Sequence, residues 1–256
     1  MTAVRADPTH TRPLRAAGWA LHAYTASGTA IAFLALVAAV GGNELAALWL
    51  LFVALLVDGT DGMLARRLRV GEVIPGFDGA RLDDIVDYIT YAFVPVFLLW
   101  NGGWLPEGTA GIVLAVLPLL ASSFQFCRTD AKTDDNCFLG FPSYWNVLAL
   151  YVIVLELSPA ATASLLVVCS VLVFVPIRYL YPSKTRVHRP LNLTLAAIWL
   201  ATYAVMLLQF GDPHPVVVGL SLLYVVYYVA ASVVHTVRTA RRGTVATAGT
   251  ATTPLA

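Results

Sequence analysis

Eight apolar stretches, most of them close to the length of a membrane-spanning helix, are the feature that most constrains the fold of this chain. They cover residues 17–40, 45–65, 82–100, 111–126, 144–157, 160–180, 191–210 and 216–237. A helix of about 20 apolar residues crosses the hydrocarbon core of a bilayer, where open backbone cannot be satisfied. Charged residues make up 12% of the chain, against roughly 25% in soluble domains. We therefore predict an all-α integral membrane protein with about eight transmembrane helices.

The distribution of positive charge predicts the orientation of these helices. If the N-terminus is cytoplasmic, all 16 Lys and Arg residues fall in cytoplasmic segments and the four outer loops carry none. Lys and Arg accumulate in the cytoplasmic loops of membrane proteins. We therefore expect both termini to be cytoplasmic.

Composition also predicts the domain organisation and excludes several classes of protein. We expect a polar N-terminal segment at 1–16, one transmembrane domain at 17–238 and a disordered cytoplasmic tail at 239–256, which is rich in Thr, Ala and Gly. The net charge is +1, and the chain lacks the basic face that a nucleic-acid-binding protein needs. Three Cys residues without a CxxC pair exclude a disulfide scaffold and a thiolate zinc site.

One acidic segment is out of place in this apolar background. It reads Asp58-Gly-Thr-Asp61-Gly62-Met-Leu-Ala65-Arg66 and, after a loop, Gly79-Ala-Arg-Leu-Asp83-Asp84-Ile-Val-Asp87. These carboxylates lie at the predicted inner end of the second span and the start of the third. A carboxylate in hydrocarbon costs about 2.5–3.5 kcal/mol on insertion scales. The cluster is tolerable only if it lines a wet cavity, pairs with cations or binds metal.

Helical geometry favours metal binding by this acidic segment. Asp58 and Asp61 share one face of the second helix, and Asp83 and Asp87 are one turn apart on the next, whereas Asp84 points about 100° away from Asp83. Two antiparallel neighbours could thus present four carboxylates to each other. Hard oxygen ligands in this number suit Mg²⁺ or Mn²⁺, which in turn bind phosphate oxygens.

The small and basic residues beside the carboxylates fit a phosphate ligand. Gly62 and Ala65 remove side-chain bulk where a ligand must approach the backbone, and Arg66 at the rim is a natural anion donor. The alternative interpretation is a structural ion-pair network at a helix end.

The complete pattern resembles the signature of the CDP-alcohol phosphatidyltransferase family. The pattern is Asp58-x2-Asp61-Gly62-x2-Ala65-Arg66 followed by Gly79-x3-Asp83-x3-Asp87. One departure is the 12-residue gap between Arg66 and Gly79, which is shorter in most of the family. The longer gap is similar to that of the bacterial branch that uses choline, as are the stretches 134–146 and 189–192.

The resemblance implies a reaction and a set of site residues. CDP-diacylglycerol and an alcohol, here choline, would give a phospholipid and CMP. Mn²⁺ or Mg²⁺ would be held by four carboxylates, with the fourth also acting as general base: Asp58, Asp61, Asp83 and Asp87. CDP-diacylglycerol would be contacted by the small and basic positions of the motif: Gly62, Ala65, Arg66 and Gly79.

The resemblance also implies a multi-pass protein of the bacterial cytoplasmic (inner) membrane, in contact with membrane lipids and assembled as a homodimer. Choline carries a quaternary ammonium, which aromatic faces bind. Tyr91, one helical turn beyond Asp87, is the best-placed aromatic residue, although aromatic residues at a membrane boundary usually form an interfacial belt. The alternatives are a related enzyme with serine, glycerol phosphate or an inositol-type acceptor, an intramembrane prenyltransferase, and a divalent-cation transporter.

Overall fold

The computed structural model describes residues 12–181 and 189–250 and is mostly helical in these residues. The helices are α1 Arg12–Val40, α2 Glu44–Leu68, α3 Val70–Val73, α4 Gly79–Asp87, α5 Val94–Asn101, α6 Gly108–Cys127, α7 Trp145–Val154, α8 Pro159–Leu172, α9 Arg189–Leu208 and α10 Pro215–Thr250. A π-helix, Tyr88–Phe93, joins α4 to α5, and two short strands are β1 Cys137–Leu139 and β2 Arg178–Leu180.

Several of these helices are long and apolar enough to cross a membrane. Within the described residues there are five: α1, α2, α6, α9 and α10 over Pro215–Arg241. The helical segments α4, π-helix and α5 follow one another without a break and include the third predicted span. Helices α7 and α8 are apolar but have only 10 and 14 residues. The structure therefore supports a multi-pass membrane protein, and the number of about eight spans stays a prediction.

The predicted sixth stretch, 160–180, is wrong at its C-terminal end. Helix α8 stops at Leu172, and residues Arg178–Leu180 form β2. Pro176 lies between them; it has no N–H to continue a helix and biases its predecessor towards an extended conformation. The all-α expectation is thus correct apart from one two-stranded sheet in the described residues.

The predicted terminal segments overlap helices of the structure. Helix α1 begins at Arg12, and α10 continues to Thr250. Three cations used for the predicted orientation, Arg5, Lys184 and Arg186, lie outside the described residues. The chain divides into two compact units, whose described parts are 12–126 with 144–166, and 127–143 with 167–181 and 189–250.

In the first unit, helix α1 packs closely against its neighbours through a stripe of mostly small residues. The buried positions alternate three and four residues apart: Gly18, Leu21, Thr25, Gly28, Ala32, Ala35 and Ala39. Small side chains let helix backbones approach one another. A Cβ added at Gly28 would lie 2.5 Å from Cγ1 of Val86, which places α4 directly against α1.

The other end of this helix group is held by two polar contacts. The side-chain amide of Asn101 donates to the carbonyl of Ala39 at 2.8 Å. The indole N–H of Trp104 donates to Oε1 of Glu44 at 2.6 Å. These contacts connect the ends of α1 and α5 and the start of α2, at the end of the helix group opposite to the acidic residues.

In the second unit, β1 and β2 pair antiparallel, with Phe138 opposite Tyr179. The outer edge of β2 is covered by hydroxyl groups of α10. The N–H of Arg178 donates to Thr236 at 2.8 Å, and the N–H of Leu180 donates to Ser232 at 3.1 Å. Their four-residue spacing places both hydroxyls on one helix face, so α10 satisfies an edge that would otherwise need a further strand.

The turn before β1 is also connected to α10, through Asp135. Its Oδ1 lies 2.9 Å from Nη1 of Arg178, and its Oδ2 lies 2.9 Å from Nε2 of His235. Burial opposes ionisation of this carboxyl group, but hydrogen bonds from Thr133 and His235 and the charge of Arg178 lower its pKa to about 2. The carboxylate is therefore ionised at neutral pH.

Candidate active site

Three carboxylates from two helices converge in the first unit. Asp58 lies on α2, and Asp83 and Asp87 lie one turn apart on α4. Each offers an oxygen atom, and these atoms lie within 4.8 Å of one another. All three residues are half-buried. Three hard oxygen donors at this separation fit a divalent cation of the Mg²⁺ or Mn²⁺ type.

Asp61 lies one turn after Asp58 but is not one of the three carboxylates that meet. It is 5% exposed, and its Oδ2 accepts a hydrogen bond from the hydroxyl of Thr25 at 2.8 Å. Thr25 is a polar member of the small-residue stripe of α1. Helix α1 therefore supplies a hydrogen bond that orients a carboxylate of the motif.

Tyr91 lies in the π-helix that follows Asp87. Its hydroxyl donates to Oδ2 of Asp58 at 2.6 Å, and its side chain is 6% exposed. Its ring centroid is 6.0 Å from that of Tyr144. π-Helical turns occur frequently at functional sites, and here the turn contains the residue that holds Asp58 in place.

The residues at the rim of the site have different surroundings. A Cβ at Gly62 would lie 3.4 Å from Nη1 of Arg66, so the guanidinium group, on an exposed residue, lies back over the glycine. Ala65 packs against a hydrophobic cluster formed by Leu21, Val70, Val73 and Ile74. A larger residue at position 65 would meet this cluster.

Gly79, at the start of α4, is in close contact with α1. A Cβ there would lie 2.7 Å from Cε1 of His22. The His22 ring is 4.4 Å from the ring of Phe77 and 5.8 Å from that of Trp19. Because Gly79 has no side chain, α4 can begin beside this aromatic group.

Sequence reasoning did not assign Thr25 or His22 to the site. Both lie on α1, distant in sequence from the acidic motif, and their contacts with Asp61 and Gly79 depend on how the helices pack. The available signal was the polar residue within a stripe of small residues on α1. Asp84, which sequence geometry placed on another face, is outside the group of carboxylates that meet among the described residues.

Comparisons with known proteins agree with the acidic motif. Residues 23–176 match the sequence model of the CDP-alcohol phosphatidyltransferases, and this range contains every predicted site residue. A protein of Pseudomonas aeruginosa named phosphatidylcholine synthase is 39% identical over 84% of this chain and 90% of its own length. Proteins with the same name from Borreliella burgdorferi and Legionella pneumophila are 35% identical over 88% and 96%, and 36% identical over 86% and 89%, of the respective chains.

Proposed function

This chain belongs to the CDP-alcohol phosphatidyltransferase family, and we propose that it transfers the phosphatidyl group of CDP-diacylglycerol to choline, producing phosphatidylcholine and CMP. The observation that carries the proposal is that Asp58, Asp83 and Asp87, three acidic residues of the family motif, converge in the structure. The names of the similar proteins support choline as the acceptor. Membership of an enzyme family argues against the cation-transporter alternative.

Asp58, Asp83 and Asp87 would hold Mn²⁺ or Mg²⁺, with Asp61 completing the set. A divalent cation bound there supplies positive charge for the pyrophosphate and the departing CMP. The chain itself supplies the orientation: Tyr91 holds Asp58, and Thr25 holds Asp61. These two hydrogen bonds limit the rotation of the two carboxylates, and a bound cation would offset the repulsion among the acidic groups.

Asp87 would act as the general base. The hydroxyl of choline attacks the phosphorus attached to diacylglycerol, the bond from that phosphorus to the oxygen of CMP breaks, and an Asp87 oxygen takes the hydroxyl proton. A positioned base contributes about 10²–10⁴-fold to such a step. Gly62, Ala65, Arg66 and Gly79 would line the nucleotide side, where the guanidinium group of Arg66 supplies hydrogen bonds to phosphate.

The proposed location of the site fits both substrates. With the predicted orientation, the acidic end of α2 and α4 faces the cytoplasm, so lipid tails stay in the leaflet while choline arrives and CMP leaves through water. We propose a bacterial inner-membrane enzyme with about eight spans and both termini inside, assembled as a homodimer.

An assay with three acceptors tests the proposed reaction. Membranes containing the protein, given CDP-diacylglycerol, labelled choline and Mn²⁺, will form phosphatidylcholine and CMP in equal amounts, and excess chelator will abolish both products. Matched membranes from the same host without the protein provide the background. Product from serine or glycerol phosphate, with none from choline, would retain the family and overturn the acceptor.

Two replacements of Tyr91 separate choline binding from the positioning of Asp58. Tyr91→Phe keeps the ring and removes the hydrogen bond to Asp58, whereas Tyr91→Leu also removes the ring. A cation–π contact contributes about 0.5–2 kcal/mol, so the leucine variant should raise the KM for choline about 2–30-fold relative to the phenylalanine variant. Phe93→Leu, on an exposed residue of the same π-helix, is the matched control. Equal KM values for the two Tyr91 variants would show that the ring does not bind choline.

A further inference from the structure

We propose that Asp135, Cys137 and His235 form a second metal site, of the zinc type, in the unit that contains the β1–β2 pair. This site shares no residue with the proposed catalytic carboxylates and does not depend on the proposed reaction. Its ligands come from two segments far apart in sequence, the turn at the start of β1 and the helix α10.

The ligand atoms of these residues converge. One carboxylate oxygen of Asp135, the sulfur of Cys137 and a ring nitrogen of His235 all lie within 4.8 Å of one another. Cys137 is 1% exposed, and the side chains of Asp135 and His235 are 32% and 18% exposed. The sulfur is therefore shielded, while a path for the ion remains open along the carboxylate and the imidazole.

The local backbone prepares this arrangement. Asn136, between two of the ligands, has φ +58°, a left-handed conformation that Asn tolerates better than most residues. The N–H of Cys137 donates to the hydroxyl of Thr133 at 3.1 Å, closing the turn. Asp135 and Cys137 are thus held on the same turn before any ion arrives.

The surroundings of Asp135 resemble the outer shell of a metal site. Oδ1 accepts hydrogen bonds from Thr133 and Arg178, while Oδ2 faces His235. Partners on the second oxygen of a ligating carboxylate fix its orientation. Arg178 also belongs to β2, so the same contacts connect the strand pair, the ligand turn and α10.

The mixture of donor atoms determines which ion fits. A thiolate and an imidazole with one carboxylate match Zn²⁺, whereas Mg²⁺ and Mn²⁺ prefer oxygen ligands throughout. Binding converts the Cys137 thiol to a thiolate and releases its proton to solvent. The absence of a CxxC pair excludes only a zinc site built from cysteines close along the chain. The fold brings position 235 to positions 135 and 137.

Zinc content and cobalt spectroscopy test the site. The purified full-length protein is equilibrated with Zn²⁺ slightly above the protein concentration and with a large excess of Mg²⁺, which saturates the oxygen-rich carboxylates. After removal of unbound metal it should retain about one Zn²⁺ per chain. With Co²⁺ as the probe, the wild-type protein should show a thiolate-to-cobalt charge-transfer band in the near ultraviolet, which carboxylates alone cannot produce.

Matched variants assign that band. Cys137→Ser should abolish it, and His235→Gln should weaken metal binding at least about tenfold. Cys127→Ser, on an exposed cysteine outside the cluster, should leave both readouts unchanged. A wild-type protein with no charge-transfer band and no retained zinc would overturn the proposal without any variant. Unchanged zinc in a folded Cys137→Ser protein would overturn it equally, leaving a hydrogen-bonded ion pair.

Discussion

Replacing Asp87 with asparagine is expected to lower kcat by about 10²–10⁴-fold, the usual contribution of a positioned general base. Asparagine has nearly the same shape but cannot take the proton of choline. Asp58 and Asp83 remain to hold the cation, so CDP-diacylglycerol should still bind. The measurement is steady-state turnover at saturating Mn²⁺, together with the affinity of the purified variant for the nucleotide.

The control for this change is Asp84→Asn. Asp84 lies beside Asp83 on α4 but is not one of the carboxylates that meet among the described residues, so its loss should change kcat little. If Asp87→Asn loses nucleotide affinity as strongly as turnover, Asp87 is chiefly a metal ligand. Turnover close to that of wild type would remove Asp87 from the mechanism.

Replacing Asp58 with asparagine is expected to raise the Mn²⁺ concentration for half-maximal activity by more than about 100-fold, since even partners outside the coordination shell contribute 10–100-fold to metal affinity. Asp58 is one of the three converging carboxylates and is the one held by Tyr91. Its loss therefore removes a charge and disturbs the preorganisation of the group. Initial rates over a Mn²⁺ titration, with free Mn²⁺ measured by electron paramagnetic resonance, give the shift.

Asp84→Asn serves again as the control, since it removes one nearby carboxylate charge without changing the converging group. A general electrostatic effect would shift the Mn²⁺ titrations of both variants alike. A wild-type titration for Asp58→Asn would show that Asp58 does not hold the ion, and the metal proposal would then lose the contribution of α2.

The pairing of Asp83 with Asp87 on one face of α4 follows from residue spacing, because residues one helical turn apart share a face, whereas their meeting with Asp58 depends on how α4 packs beside α2. The membrane character follows as directly from the apolar stretches. The spacing did not indicate how Asp61 differs from Asp58. Asp61 receives its hydrogen bond from Thr25, 36 positions earlier, and only the packing of α1 against α2 makes that contact.

The end of the sixth apolar stretch shows where hydropathy alone fails. Residues 173–180 are nearly as apolar as the helix before them, yet Pro176 separates α8 from β2, which pairs with β1. Hydropathy measures preference for an apolar environment and does not distinguish a buried strand from a helix. The proline was visible in the sequence, but its strand partner, about 40 positions away, was not.

The sequence by itself determined that this is a membrane protein, the family to which it belongs and the helix faces that carry its acidic residues. These properties depend on composition and on residues within one or two helical turns of each other, so they hold however the helices pack. Tertiary structure alone decided that Tyr91 holds Asp58, that Thr25 holds Asp61, and that His235 meets Asp135 and Cys137. Such contacts join distant segments, and their geometry depends on side-chain packing across helices, which no local pattern specifies.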